Sequence, residues 1–366
     1  YVGKQDFKIK KLKFKNIFNI DNPKNKIHIG AEKIDYSTWF NKIIGVGILI
    51  IAIQKMIMSD SIEIVELVPS NTNNAQSFYP NLGNSVDICG NYAIVGASNS
   101  SAGEFVNIYK KVNNNWTETD SFTTTSANKT SFGQSVSIDG NYAIVGSLLG
   151  SDKKGEAYIF KKNDSNETWV EQNILTASDS SNDDSFGISV SISENYAIVG
   201  ASNKRTAYIF KKNESTGNWE EQDKVTASDD SSNSKFGQTV SIHKNYAAIG
   251  AYSKNYVYIF KKNDSNETWT EKEKITGDDT ANNDYFGYSV SIRNNYLIVG
   301  SERDDSAKGS AYIFKKDDSN EDWHQKSKLT ASDRTSQDVF GHSVSIDGNY
   351  AIVGAYRNKV DSGHMV

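Results

Sequence analysis

Apolar and hydroxyl side chains alternate along one short stretch that keeps returning. Its clearest copy is Phe132-Gly-Gln-Ser-Val-Ser-Ile-Asp-Gly-Asn-Tyr-Ala-Ile-Val-Gly146, with counterparts from Phe186, Phe236, Phe286 and Phe340 and a weaker one from Leu82. The spacing from the Gly after the aromatic to the Gly that closes the second apolar run is the same in all six copies: 83 to 96, 133 to 146, 187 to 200, 237 to 250, 287 to 300 and 341 to 354. A fixed unit returning at a steady period denotes a stacked or circular array.

Each unit predicts four strands. In Ser-Val-Ser-Ile, at 135–138 and its counterparts, period-2 alternation puts Val and Ile on one face. Asp139-Gly140 and Asp347-Gly348 are strong hairpin signals. Tyr-Ala-Ile-Val-Gly-Ala follows, apolar enough to be buried on both faces, with small residues at its end that permit close approach of a neighbouring sheet. The third strand is Ala-Tyr-Ile-Phe-Lys-Lys (157–162, 207–212, with 257–262 and 311–316 alike), its Lys pair marking emergence into solvent. The fourth runs from Trp116, Trp169, Trp219, Trp269 or Trp323 to an apolar residue six positions on, polar between these anchors as an outer strand with one wet face should be.

Four antiparallel strands per unit, innermost first and wettest last, describe one blade of a β-propeller. The fold class is therefore all-β: a β-propeller of four-stranded antiparallel blades, five complete and one partial. The sixth copy ends at Val366, where its third strand should be starting, so a parent of six or seven blades is expected, with Ser61 to Val68 available as a fourth strand for the last blade. The repeated Phe, Tyr and Trp are expected to pack blade against blade.

Phe-Gly followed, thirteen positions on, by Gly-Ala or Gly-Ser resembles the FG-GAP repeat of integrin α-subunit propellers. With the Ala-Tyr-Ile-Phe, Trp and Leu-Thr-Ala-Ser-Asp elements, it is more similar still to the FG-GAP-type repeats of cell-surface proteins. The resemblance implies an interaction scaffold. Pro is missing from every copy of the motif, and the first hairpin is a tight turn without the Asp-x-Asp-x-Asp-Gly carboxylates of the integrin calcium loops, so calcium binding is not carried over. The acidic returns (Asp179, Asp183, Asp184; Asp229, Asp230; Asp278, Asp279, Asp284; Asp333, Asp338) read as solvated turns.

The stretch 1–58 differs from the rest. It holds eleven Lys against four acids, whereas the remainder holds 29 basic and 41 acidic residues. The apolar run 43–53 suits a signal or anchor core, though it is short for a spanning helix. Alternatively, translation starts at Met58 and the upstream residues are foreign. The division expected is a 1–58 leader and a 59–366 propeller, extracellular or on a cell surface, or cytoplasmic if Met58 is the start; membrane association would come only through that leader. The acidic repeats argue against nucleic acid. The single Cys89 reads as a small packing residue, and the five His show no metal spacing, so no catalytic residue, metal or cofactor is assigned.

What varies among the units is the link from second to third strand. It runs from Gly96 to Asn107, Gly146 to Tyr158, Gly200 to Tyr208, Gly250 to Tyr258 and Gly300 to Tyr312, shorter in the third and fourth units than in the others. Variation on one rim over a constant scaffold is where recognition is placed. The candidates are Leu148, Leu149 and Lys153; Lys204 and Arg205; Tyr252 and Tyr256; Arg303 and Asp304; Tyr356 and Arg357. The expected function is non-enzymatic binding of a protein or glycan through this rim; the alternatives are a propeller-scaffolded enzyme acting on polysaccharide and an intracellular scaffold.

Overall fold

The computed structural model describes residues 17–19, 82–98, 104–123, 131–148, 154–230 and 232–356. Among them, five four-stranded antiparallel sheets form from consecutive stretches of chain, and within each the spatial order follows the chain order. The second is typical: Phe132–Asp139, Tyr142–Ser147, Glu156–Lys162 and Trp169–Leu175. A sixth begins with Phe340–Asp347 and Tyr350–Ala355. Each sheet packs its inner strand on that of the next, the arrangement of a β-propeller.

The Phe that opens each unit is buried between blades. Phe132 has no exposed surface and shares a core with Ile94, Val106 and Ile108 of the first blade and with Val136, Ile138 and Tyr158 of its own. Full burial of such a ring contributes about 1.5–3 kcal/mol. Phe186, Phe236 and Phe286 are equally buried and meet Tyr208, Tyr258 and Tyr312 edge-on, as Phe132 meets Tyr158. At the outer end, Trp169, Trp219, Trp269 and Trp323 meet Tyr92, Tyr142, Tyr196 and Tyr246 of the preceding blade edge-on.

The glycines of the motif also act between blades. A Cβ at Gly146 would overlap the carbonyl oxygen of Gly187, the Gly of the next blade's Phe-Gly; Gly96, Gly200, Gly250 and Gly300 stand likewise against Gly133, Gly237, Gly287 and Gly341. Those carbonyls accept hydroxyl bonds: Ser135 Oγ donates to Gly187 at 2.9 Å and Ser289 Oγ to Gly341 at 2.8 Å. The second Ser of Ser-Val-Ser-Ile accepts from the next blade's backbone, as Ser191 Oγ does from Ile242 N at 3.1 Å. The alternation thus places apolar groups in the interface while its hydroxyls join neighbouring inner strands.

Ile17–Asn19, inside the stretch read as a leader, lies antiparallel to Tyr350–Ala355. Ile17 stands opposite Ile352 and Phe18 opposite Ala351, the register that Ile159 and Phe160 keep with Ile144 and Ala143 in the second blade. Along Tyr350 to Ile352, the outer edge of the sixth sheet is therefore paired, where an edge strand would otherwise present unpaired backbone groups. Ser61 to Val68 and the apolar run 43–53 lie outside the described residues. Among those described, no helix is long and apolar enough to cross a membrane.

Candidate functional site

The rim that carries the variable links is shaped by a turn at each Phe-Gly. Tyr288 N donates to Tyr285 O at 3.1 Å, closing Tyr285-Phe286-Gly287-Tyr288 with Gly287 at φ 91°. A turn with positive φ at its third residue calls for Gly there. Equivalent bonds join Gln134 to Ser131, Ile188 to Ser185, Gln238 to Lys235 and His342 to Val339. Phe points into the interface, and the residues either side of Phe-Gly are set at the rim.

Most charged candidates from the sequence are occupied in holding loops. Lys204 Nζ lies 3.0 Å from Asp184 and 3.4 Å from Asp179, and Arg205 Nε lies 2.8 Å from Asp230. Asp304 is buried, accepts from Ser310 Oγ and pairs with Lys328 at 2.7 Å. Tyr256 carries Lys274 Nζ 3.7 Å above its ring. Leu148 is half-buried, and Leu149, Lys153 and Arg357 lie outside the described residues.

The acidic returns are likewise structural rather than merely solvated. Asp229 accepts from Tyr258 Oη at 2.6 Å and from Lys274 Nζ at 2.6 Å; Asp279 does so from Tyr312 and Lys328, and Asp179 from Tyr208 and Lys224. Lys274 and then Tyr258 hold the Asp229 carboxyl below its ordinary range, and Lys328 does the same for Asp279. In the second blade the Lys position is Ile174, which is exposed.

Three candidates converge: Tyr252, Arg303 and Tyr356. The Arg303 guanidinium sits 4.2 Å from the Tyr285 ring centre. Tyr285 lies 4.9 Å from Tyr252, Tyr252 lies 5.4 Å from Tyr288, Tyr288 lies 5.2 Å from His342, and His342 stacks on Tyr356 at 4.9 Å and 20°. This band crosses the fourth, fifth and sixth blades. Tyr356 is 58% exposed, Arg303 is exposed, and the other rings are partly so. His342 Nδ1 donates to the buried Glu302 carboxylate at 2.8 Å, which fixes the imidazole. Burial holds the Tyr252 phenol above its ordinary range, so the ring stays neutral.

Sequence reasoning missed Tyr285, Tyr288 and His342. The signal was present: only before and after Phe286-Gly287 do both flanking positions carry an aromatic. Cys89 is half-buried with its Sγ 3.5 Å from Asp139, and burial pushes its thiol up, away from the reactive thiolate. Among the described residues, no three His, Cys, Asp or Glu side chains are grouped to hold a metal ion.

The FG-GAP repeat model matches five times, over residues 116–160, 169–213, 219–265, 269–314 and 323–365, more than half of the chain. The chain belongs to the FG-GAP repeat family. The first four FG-GAP matches each run from an outermost strand through the next Phe-Gly to a third strand, and the fifth runs from an outermost strand through Phe340-Gly341 to a second, so each spans two sheets and contains one blade interface. No curated protein matches the chain. Solved structures similar to this FG-GAP chain include a protein from Lactobacillus plantarum (12% identity, 73% of each chain, TM-score 0.48) and one of unknown function from Desulfotomaculum acetoxidans (10%, 67% of this chain and 69% of that one, 0.47). Another, from Bacteroides uniformis, is called a "putative 6-phosphogluconolactonase" (9%, 70% and 88%, 0.45). At this level of similarity none of them bears on function.

Proposed function

We propose that this FG-GAP propeller is a non-enzymatic interaction scaffold, on a cell surface or outside the cell, that binds a protein or glycan ligand through the aromatic band. The observation that carries this reading is the contrast on one rim. Lys204, Arg205 and Asp304 are tied into the fold, whereas Tyr252, Arg303 and Tyr356 gather with three further rings that keep exposed surface. Tyr and Arg are enriched among the residues that dominate binding energy at interfaces, and Tyr offers large contact area at small entropic cost. The test is binding of labelled protein to intact cells and extracellular material of the producing organism. Tyr285→Ser/Tyr288→Gln, which installs residues that sister blades carry at the same turn, should reduce it at least tenfold. Undiminished binding by that variant would remove the band from the account.

The surface location draws on the apolar run 43–53, and mass spectrometry of the native N-terminus tests it: a mature chain starting at Met58 or Ser59 would favour the intracellular alternative. The enzyme alternative draws on Glu302 and His342, a carboxylate and imidazole in hydrogen-bond contact on the rim. Polysaccharide cleavage that His342→Gln abolishes would establish it.

A further inference from the structure

We propose that the ligand of this band is a neutral oligosaccharide, laid across Tyr285, Tyr252, Tyr288, His342 and Tyr356; this rests on the interaction reading above and gives it a chemical class. The ionisable groups of the band are already engaged within it. Glu302 holds His342, and Arg303 lies over Tyr285. What the band offers is ring faces and phenol hydroxyls, an apolar surface with polar edges. A pyranose presents the complementary pattern, C–H groups on its faces and hydroxyls around its rim.

The remainder of the same rim points the same way. The residue displayed after each Phe-Gly, or Leu-Gly in the first blade, is Asn84, Gln134, Ile188, Gln238, Tyr288 or His342. In a chain with 23% Asp, Glu, Lys and Arg, none of the four stands at this position. Asn84 and Ser98 already meet Gln134 there through neutral hydrogen bonds of 3.1 and 3.0 Å. Neutral amides and hydroxyls read hydroxyl groups without the cost of desolvating an ion. An anionic glycan is disfavoured by the excess of acidic residues after position 58, 41 against 29 basic. Ring centres 4.9, 5.4, 5.2 and 4.9 Å apart form a continuous track over three blades, which suits a chain of sugars rather than a single one.

The experiment is a printed array of neutral gluco-, manno-, galacto- and N-acetylglucosamine oligosaccharides, with sialylated and sulfated glycans alongside, probed with the full chain and followed by calorimetry on the best oligomer. Wild type should retain neutral oligomers, longer ones better. Tyr285→Ser/Tyr288→Gln and Tyr356→Ala should each weaken binding tenfold or more. Val170→Thr, at a 53% exposed position on an outer strand of the second blade, should not. An empty array, retention of sialylated or sulfated glycans alone, or equal binding by the band variants would overturn the proposal. If the array is empty yet binding to cells is lost on protease treatment, survives periodate and needs Tyr285 and Tyr288, the saccharide falls and the interaction scaffold stands. If neither array nor cells bind, both fall.

Discussion

Lys211 of the third blade donates a hydrogen bond to the carboxylate of Glu267 in the fourth, across the interface between them. Tyr196 Oη joins the same carboxylate at 3.3 Å. Glu167 makes this clasp to Lys110 and Tyr92, and Glu321 to Lys261. All three acids sit in the left-handed region, at φ 61°, 59° and 62°, where a side chain is strained by roughly 1–3 kcal/mol. In the third blade the same position is Gly217, at φ 78°, and the clasp to Tyr142 and Lys161 is missing.

Strain and clasp therefore oppose each other at Glu267, and three substitutions separate them. Glu267→Ala keeps the strained backbone and loses the clasp; Glu267→Gly loses both. An exposed ion pair contributes about 0.2–1 kcal/mol. Thermal unfolding should place Glu267→Ala below wild type by up to about 2 °C and Glu267→Gly close to wild type. Gly217→Glu should change the midpoint little. A Glu267→Gly midpoint as low as that of Glu267→Ala would show that the backbone is unstrained.

The two glycines of each unit meet different constraints from the Gly of the hairpin turn, and Ala distinguishes them. At Gly200 a Cβ would run into the Gly237 carbonyl and the Ser189 hydroxyl, so the blades must separate or the strand must shift. At Gly140 nothing among the described residues lies within 4 Å of the added Cβ, and φ of 56° is the whole difficulty. Gly140→Ala should cost roughly 1 kcal/mol and Gly200→Ala at least 3 kcal/mol. In calorimetric melts the second variant should unfold at least 6 °C below wild type, at about 2 °C or more for each kcal/mol. Equal melting of the two would mean that the blades are not held at the distance described.

Strand order and the identity of the core were legible because the chain states them five times in full and begins them a sixth. Period-2 alternation at 135–138, a nearly all-apolar run at 142–147 and Trp-anchored polar strands each have a single solution as part of a blade. The partners across blades were not legible, because they belong to different repeats and no local pattern links them. The constant spacing from Gly133 to Gly146 was visible, yet Gly146 packs against Gly187 of the next unit. The same blindness affected the site. Lys204 and Asp304 looked free in the sequence, but Asp184 on a return loop and Lys328 on an outer strand hold them. Tyr285 and Tyr288 were passed over because they flank the constant Phe-Gly, and only the turn geometry shows that it displays both flanking positions.

Asp87 is the exception among the axial hydroxyls. Ser137, Ser191, Ser241, Ser291 and Ser345 hold its place in the other blades. Its carboxylate accepts from Ile138 N at 2.9 Å and Ser137 Oγ at 2.8 Å, but burial outweighs these bonds and pushes its pKa up. A raised carboxyl pKa in the folded state means that ionisation weakens folding. The penalty is complete above the folded pKa and vanishes as pH falls toward the unfolded value of about 3.9. Asp87→Ser should therefore melt higher than wild type at pH 7, with the difference closing toward pH 4. A gain that is constant with pH, or grows in acid, would rule out an ionised Asp87 as its source.

Asn107 marks the first blade's departure from its sisters. It stands where Tyr158, Tyr208, Tyr258 and Tyr312 stand in the next four, opposite Val95 on the second strand. Its side chain has no exposed surface, and neither amide atom has a hydrogen-bond partner among the described residues. A buried amide without partners costs about 1–3 kcal/mol relative to an apolar group of similar size. Asn107→Val removes both orphaned atoms and suits an extended backbone. The variant should unfold about 2–6 °C above wild type by circular dichroism. It should leave binding at the aromatic band unchanged, since Asn107 belongs to the first blade and the band to the last three. A lower midpoint would mean that the amide has a partner after all, and that polarity at this position supports the fold.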